Sequence, residues 1–204
     1  MAKTVNKTNI GFPRLKRIKQ KTDAHCGPAV LEMLVTFLGR RINQDKFVTA
    51  AEVAHKLKNH GMTITELGAA VSKLAPELTF WFKQHATAAD LARVVNKYKY
   101  PVGVEWRGEF GKHSDGDDGH YSIVTHIDKK KKTIMLSDPF RVFAGTDRTF
   151  PLSQFVRKWW DDNLVFDSKA KRKRWIKDKR MMFLVTTKRT RFPKKLRMRP
   201  VVIH

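Results

Sequence analysis

The chain has 204 residues, of which 42 are Lys or Arg and 19 are Asp or Glu, so its formal net charge is +23 and its partners are expected among anions. Apolar residues make up 41% of it, enough for one domain with a sizeable core, and no apolar run is long enough to cross a bilayer. One cysteine excludes an internal disulfide and fits a reducing compartment. The basic start of the chain has no apolar signal core, so a cytoplasmic protein is expected.

Residues 1–19 read as a basic arm. The apolar run at residues 24–39 predicts a first helix, and residues 49–58 predict a second, with Thr49 as its cap and Glu52 in the third position after it. A third short helix is predicted at residues 65–74, stopped near Pro76. A strand follows at residues 78–82, a fourth helix at 87–97 and a further strand at 101–106. Residues 119–128 and 133–139 read as the two strands of a hairpin about the polar turn Lys129 to Lys132. A late helix is predicted at residues 150–160 and a closing strand at 181–187. Helices first and a mostly antiparallel sheet second make an α+β layout, with a cleft between the layers.

Within this layout the only cysteine, Cys26 in His25-Cys26-Gly27-Pro28-Ala29, stands at the start of the first helix. The amide groups and dipole of a helix N-terminus favour an anion, and a thiol does its chemistry as the thiolate. Gln20, a short step upstream, carries an amide able to donate to a developing oxyanion. A nucleophile also needs a base and an acceptor that orients it. If the hairpin pairs about Lys130, Asp138 lies opposite Ser122 and His120 opposite Phe140, so His120 and Asp138 share one face as diagonal neighbours. A slip of one residue would separate them. His25 and His113 are the alternative bases. The Gly-rich loop from Glu109 to His120 holds three aspartates and two histidines; it reads as an acidic lid beside the site, or as ligands for a hard cation, though it lacks the closing glutamate of a calcium loop. No cofactor or metal is expected.

These residues carry a resemblance. Gln20 and Cys26 in Q-x5-C-G-P-A, the helix that follows, and the blocks Gly119-His120-Tyr121 and Ser137-Asp138-Pro139 resemble, in order, the papain-like cysteine peptidases that process double-glycine leader peptides of bacteriocins. Residues 87–104 resemble the helix and strand between those blocks. The resemblance runs from about Gln20 to Trp160. It implies a papain-like fold, Cys26 as nucleophile, His120 as general base, Asp138 as orienting acceptor and Gln20 as oxyanion donor, acting on a peptide or protein substrate. His25 departs from the family, which has an acidic or small residue before the nucleophile. No transporter segment accompanies the motifs.

The domain so defined spans residues 20–187, with a basic insertion at 167–180 and a basic tail at 188–204. Aromatic side chains lie inside both basic runs, a mixture suited to nucleic acid or another polyanion without base specificity. Two function classes follow. One is a cysteine peptidase or a related thiol hydrolase, since hydrolysis and transpeptidation share a thioacyl intermediate. The alternative is a peptidase-like domain with an idle thiol that binds polyanions through its basic extensions.

Overall fold

In the computed structural model, which describes residues 11–57, 60–113, 118–167 and 171–201, the apolar run after Gln20 forms helix α1 (Cys26–Phe37). Helix α2 (Gln44–Ala50) starts at Asn43, whose side chain accepts from the Lys46 amide, with Asp45 in its first turn. The helix expected at residues 49–58 is thus corrected. It begins earlier because Asn43 caps it, and it ends at Ala50 because Glu52 adopts a φ of 59°, which a right-handed helix cannot continue through. Helix α3 (Ile64–Leu74) opens on a capping box in which Thr63 and Glu66 satisfy each other's backbone amides.

Strand β1 (Leu78–Lys83) leads to α4 (Ala88–Ala92), prolonged by a π-helical turn at Arg93–Tyr98 that Lys99 closes with φ 57°. Next come β2 (Val102–Arg107), β3 (Gly119–Asp128), β4 (Thr133–Ser137) and β5 (Asp147–Pro151). Helix α5 is confined to Leu152–Lys158, because the two ends of the predicted late helix are taken by β5 and by β6 (Trp160–Asp167). The basic run forms β7 (Arg172–Lys179), paired along its length with β6 as a separate ribbon. Strand β8 (Met182–Thr187), α6 (Phe192–Lys195) and β9 (Arg199–Pro200) complete the chain.

The main sheet is antiparallel in the order β5-β4-β3-β2-β8-β1-β9. The strand read as closing, β8, lies inside it between β2 and β1, buried from Met182 to Thr186. Alternation along β8 builds two cores: Phe183 and Val185 face α1 to α3, while Met182 and Leu184 join Trp106, Phe155 and Trp159 on the other face. The segment after β8 is packed too, with Phe192 stacked on Tyr98 at 4.3 Å.

The β3–β4 hairpin fixes the register that matters for chemistry. Near the turn Asp128 pairs with Thr133 and Ile127 with Ile134, one residue off the register expected from a centre at Lys130. At Thr125 β3 carries a bulge, and beyond it Val124 pairs with Leu136 and Ile123 with Ser137, which is the expected register. The extra residue lets Val124 and Ile127 reach the same core. Without it, Asp138 would fall opposite Ile123 and on the face away from His120.

The bulge is braced from the N-terminal segment. Thr125 Oγ1 donates to Asp147 Oδ2 at 2.8 Å and approaches the Met135 carbonyl. Arg17 binds the same carboxylate through Nε and Nη2 at 3.1 and 2.9 Å and spends its other N–H groups on the carbonyls of Gly11, Phe12 and Leu15. Both side chains are buried, 5% and 1% exposed. Gly11 is required there, since a Cβ would lie 2.0 Å from the Thr125 carbonyl oxygen. Asp147→Asn leaves the Arg17 charge buried without its partner, so a loss of about 3–5 kcal/mol in urea unfolding is expected. A loss below about 1 kcal/mol would show that apolar contacts, not this ion pair, hold the arm.

Candidate active site

Two carboxylate oxygens and one imidazole meet where β3 begins and β4 ends. His120 Nε2 lies 2.8 Å from Asp138 Oδ1, and both residues are buried. The Phe140 amide donates to the same Oδ1 at 2.9 Å, and Arg148 on β5 donates to Oδ2 at 2.7 Å while its other arm binds the Glu109 carbonyl. Asp138 thus accepts from three directions and is locked in place. Phe110 stands edge-on to the imidazole at 5.0 Å and Phe140 at 6.4 Å, shielding it from water.

Cys26 also interacts with the imidazole, within hydrogen-bonding reach of His120. Burial alone would push the imidazole down; the charge and hydrogen bond of Asp138, and then Cys26, outweigh it and raise His120 to about 10. Asp138, which burial would push up, is instead held at about 2 by His120, the Phe140 amide and Arg148. His25, one of the alternative bases, has its Nδ1 2.5 Å from Thr22 Oγ1 and lines a different hollow with Val48 and Leu57. Burial, helped by the charge of Lys21 and opposed by that of Asp45, lowers its pKa.

The loop before α1 is tied to both halves of the site. The Gln20 amide N–H donates to the Pro139 carbonyl at 2.9 Å, joining the cysteine loop to the aspartate block. Gln20 is buried, and its Nε2 donates to the carbonyls of Thr22 and Asp23 at 2.8 and 3.0 Å. Gln44 grips the same stretch by accepting from the Lys21 amide and donating to the Lys19 carbonyl. At the start of α1 the N-cap His25 makes no side-chain cap, and Pro28 has no N–H, so the first-turn amides of Cys26 and Gly27 point out of the helix end without a capping side chain.

Beside Cys26 opens a cleft of about 600 Å³. Its floor is a carboxyl that sequence reasoning missed: Glu105 on β2, 1% exposed, accepting from Tyr121 Oη at 2.7 Å and Asn163 Nδ2 at 3.0 Å. Asn163 also reaches Asp178 Oδ2 at 3.1 Å. Burial first, then the charge of Asp178, pushes Glu105 up to about 8, and burial raises Asp178 as well. The signal in the sequence was one glutamate inside an otherwise apolar strand, Val102-Gly-Val-Glu-Trp106. Arg148 was missed because β5 was not foreseen. Residues 114–117 of the acidic loop lie outside the described residues; among the described residues no cluster of His, Cys, Asp and Glu has the makings of a metal site.

The sequence model of the Peptidase_C39 like family matches residues 12–163, well over half of the chain. The chain belongs to the Peptidase_C39 like family. Among solved structures, it is similar to the peptidase domain of Streptococcus ComA, a bi-functional ABC transporter involved in a quorum-sensing pathway. The TM-score is 0.57 at 15% identity, covering 85% of this chain and 99% of that one. It is also similar to a double glycine motif protease from an AMS/PCAT transporter in complex with the leader peptide. There the TM-score is 0.53 at 13% identity, covering 85% of this chain and 94% of that one. At these identities the likeness is one of fold. A sequence search of curated proteins finds no match. Family membership with the shared α+β fold supports a peptidase of the cysteine type. Among the described residues no helix is long and apolar enough to cross a membrane.

The coupled pair in this C39-like site has a pH signature. His120 is raised in the folded chain, so its contribution to stability is complete below the unfolded value of ~6.5 and is lost as pH rises toward about 10. Asp138 is lowered, so its contribution is complete above ~3.9 and is lost as pH falls toward about 2. The stability gap between wild type and Asp138→Asn, read by urea unfolding at stepped pH, is expected to narrow as pH rises above ~6.5. A gap unchanged up to pH ~9 would mean that His120 is neutral in the folded chain.

Proposed function

We propose that the protein is a cysteine peptidase that cleaves a peptide bond through Cys26, His120 and Asp138. The observation that carries this reading is a buried imidazole bonded to a buried carboxylate and within hydrogen-bonding reach of the sole cysteine. The reaction runs through the thiolate of Cys26, whose proton passes to His120. Cys26 Sγ attacks the scissile carbonyl carbon, and negative charge moves to the carbonyl oxygen, where the Cys26 amide at the N-terminus of α1 donates to it. Collapse of that adduct breaks the C–N bond as His120 gives its proton to the departing amine, leaving a thioester. Water then attacks the thioester carbon, His120 takes its proton, the acid departs, and the Cys26 thiolate returns with the imidazolium. Asp138 keeps the ring in one tautomer throughout and remains ionised.

Gln20 is proposed as the second oxyanion donor. Its Nε2 hydrogens serve the Thr22 and Asp23 carbonyls, so this role exchanges one of those bonds for the substrate oxygen in the complex. The substrate is proposed to be an extended peptide, in keeping with the leader peptide bound by the double glycine motif protease of shared fold. Cys26→Ala is expected to abolish peptide cleavage with an unfolding midpoint near wild type, and His120→Ala to abolish it with a lowered midpoint, since Asp138 loses its buried partner. Gln20→Ala is expected to lower kcat by about 100-fold while iodoacetamide still labels Cys26 at the wild-type rate. Slowed labelling in Gln20→Ala would make Gln20 a brace for the cysteine loop, and cleavage surviving in His120→Ala would end the assignment of the base.

A second reading, a domain that binds nucleic acid or another polyanion through its basic surface, is favoured by the ribbon. Strand β7 exposes Arg172, Lys173, Lys177 and Lys179 together with Trp175, which is 66% exposed. Retention on a DNA column is expected to fall steeply with salt, to survive Cys26→Ala and to be lost when Lys173, Lys177 and Lys179 are changed to Glu. Equal retention of wild type and the charge-reversed variant would make the ribbon a solvated surface only.

A further inference from the structure

We propose that the cleft beside Cys26 is a subsite for a basic side chain of the substrate, lysine or arginine, with Glu105 as its specificity-determining residue. This deepens the peptidase reading and rests on it. The first observation is an orphan. Glu105 Oε1 takes the two hydrogen bonds from Tyr121 and Asn163, while Oε2, equally buried, has no hydrogen-bond partner among the described residues. A buried acceptor left unmade is costly, and Glu105 lines the cleft, so a donor entering from the cleft satisfies it.

The second observation is the sign of the surroundings. Asp161 and Asp162 line the same cleft, and Asp178 stands behind Asn163. Among the described residues, the Lys and Arg side chains lining the cleft are already engaged. Lys56 is bound to Glu66 at 2.7 Å, and Arg107 lies over the Trp160 ring and 3.7 Å from Asp161. The wall therefore favours a donor that brings its own positive charge. Trp175 at the rim offers a flat face for an alkyl stem or a guanidinium, and about 600 Å³ accommodates the longest natural side chains. Part of this wall comes from β6 and β7, and the family match does not run beyond Asn163 of β6.

The test is labelling of Cys26 in the full chain by dipeptidyl vinyl sulfones that carry arginine, or its uncharged isostere citrulline, at either of their two residue positions, with rates followed by mass spectrometry. Arginine is expected to label faster by about 10-fold or more at its preferred position, as a charge-assisted bond to a buried acceptor would give. In Glu105→Gln the amide keeps its oxygen toward Tyr121 and Asn163 and turns an NH2 group into the cleft, so the arginine-to-citrulline ratio is expected to fall toward one. Equal rates in wild type at every position would overturn the proposal, as would an arginine preference that survives intact in Glu105→Gln. If that variant does not fold, the exposed Asp162→Asn is expected to lower the ratio by a smaller factor, and an unchanged ratio there counts against the subsite. Labelling needs no turnover. An arginine preference without peptide cleavage would leave the subsite standing and remove the peptidase reading; cleavage without the preference would do the reverse.

Discussion

The hydrogen bond of 2.8 Å between His120 and Asp138 exists because β3 holds one residue more than β4 between the turn and the rim of the sheet. Side chains alternate along a strand, so a register shift of one residue moves a whole set to the other face. Thr125 supplies that shift, and its hydroxyl, the Asp147 carboxylate and the Arg17 guanidinium keep it in place. A buried ion pair is a poor source of stability by itself. Here its work is geometric: it fixes a bulge, the bulge fixes a register, and the register fixes which carboxylate meets the imidazole.

The other half of the site depends on the loop from Lys19 to His25. Backbone bonds from Gln20 to Pro139 and side-chain bonds from Gln44 to Lys19 and Lys21 hold that loop against the aspartate block and α2. Cys26 then begins α1 with no side-chain cap over its first turn, so the end of the helix remains available to an anion. The electrostatics are local. A chain of net charge +23 carries, next to its thiol, a wall of carboxyl groups that includes the buried Glu105. Net charge governs what approaches from afar, whereas the cleft governs what fits.

Much of this was legible in the sequence, for physical reasons. Strands β3 and β4 showed through their β-branched and aromatic alternation, and Pro139 marked the end of β4, so Asp138 could be placed at the rim opposite Ser122. The bulge was not legible, because Thr125 suits a regular strand as well as an irregular one. Helix α2 was misplaced because Thr49 and Asn43 are both good caps, and only the turn at Glu52 decides between them. The basic run at residues 172–179 reads as solvated charge, yet it pairs with β6 because every second residue of a ribbon is free to face water. Glu105 and Arg148 are long-range partners, of Tyr121 and Asp138, and pairing of that kind leaves no local trace.

The charge state of His120 tests the account most directly. Nitrogen-15 NMR of the imidazole, with the His120 signal assigned by its loss in His120→Ala, reports both ring nitrogens at once. At pH ~7 both are expected to be protonated, with a strongly deshielded Nε2 proton on Asp138 and a titration midpoint near 10. A neutral ring that titrates near the ordinary value of ~6.5 would contradict the account, because Asp138 would then not hold the imidazolium that the thiolate needs.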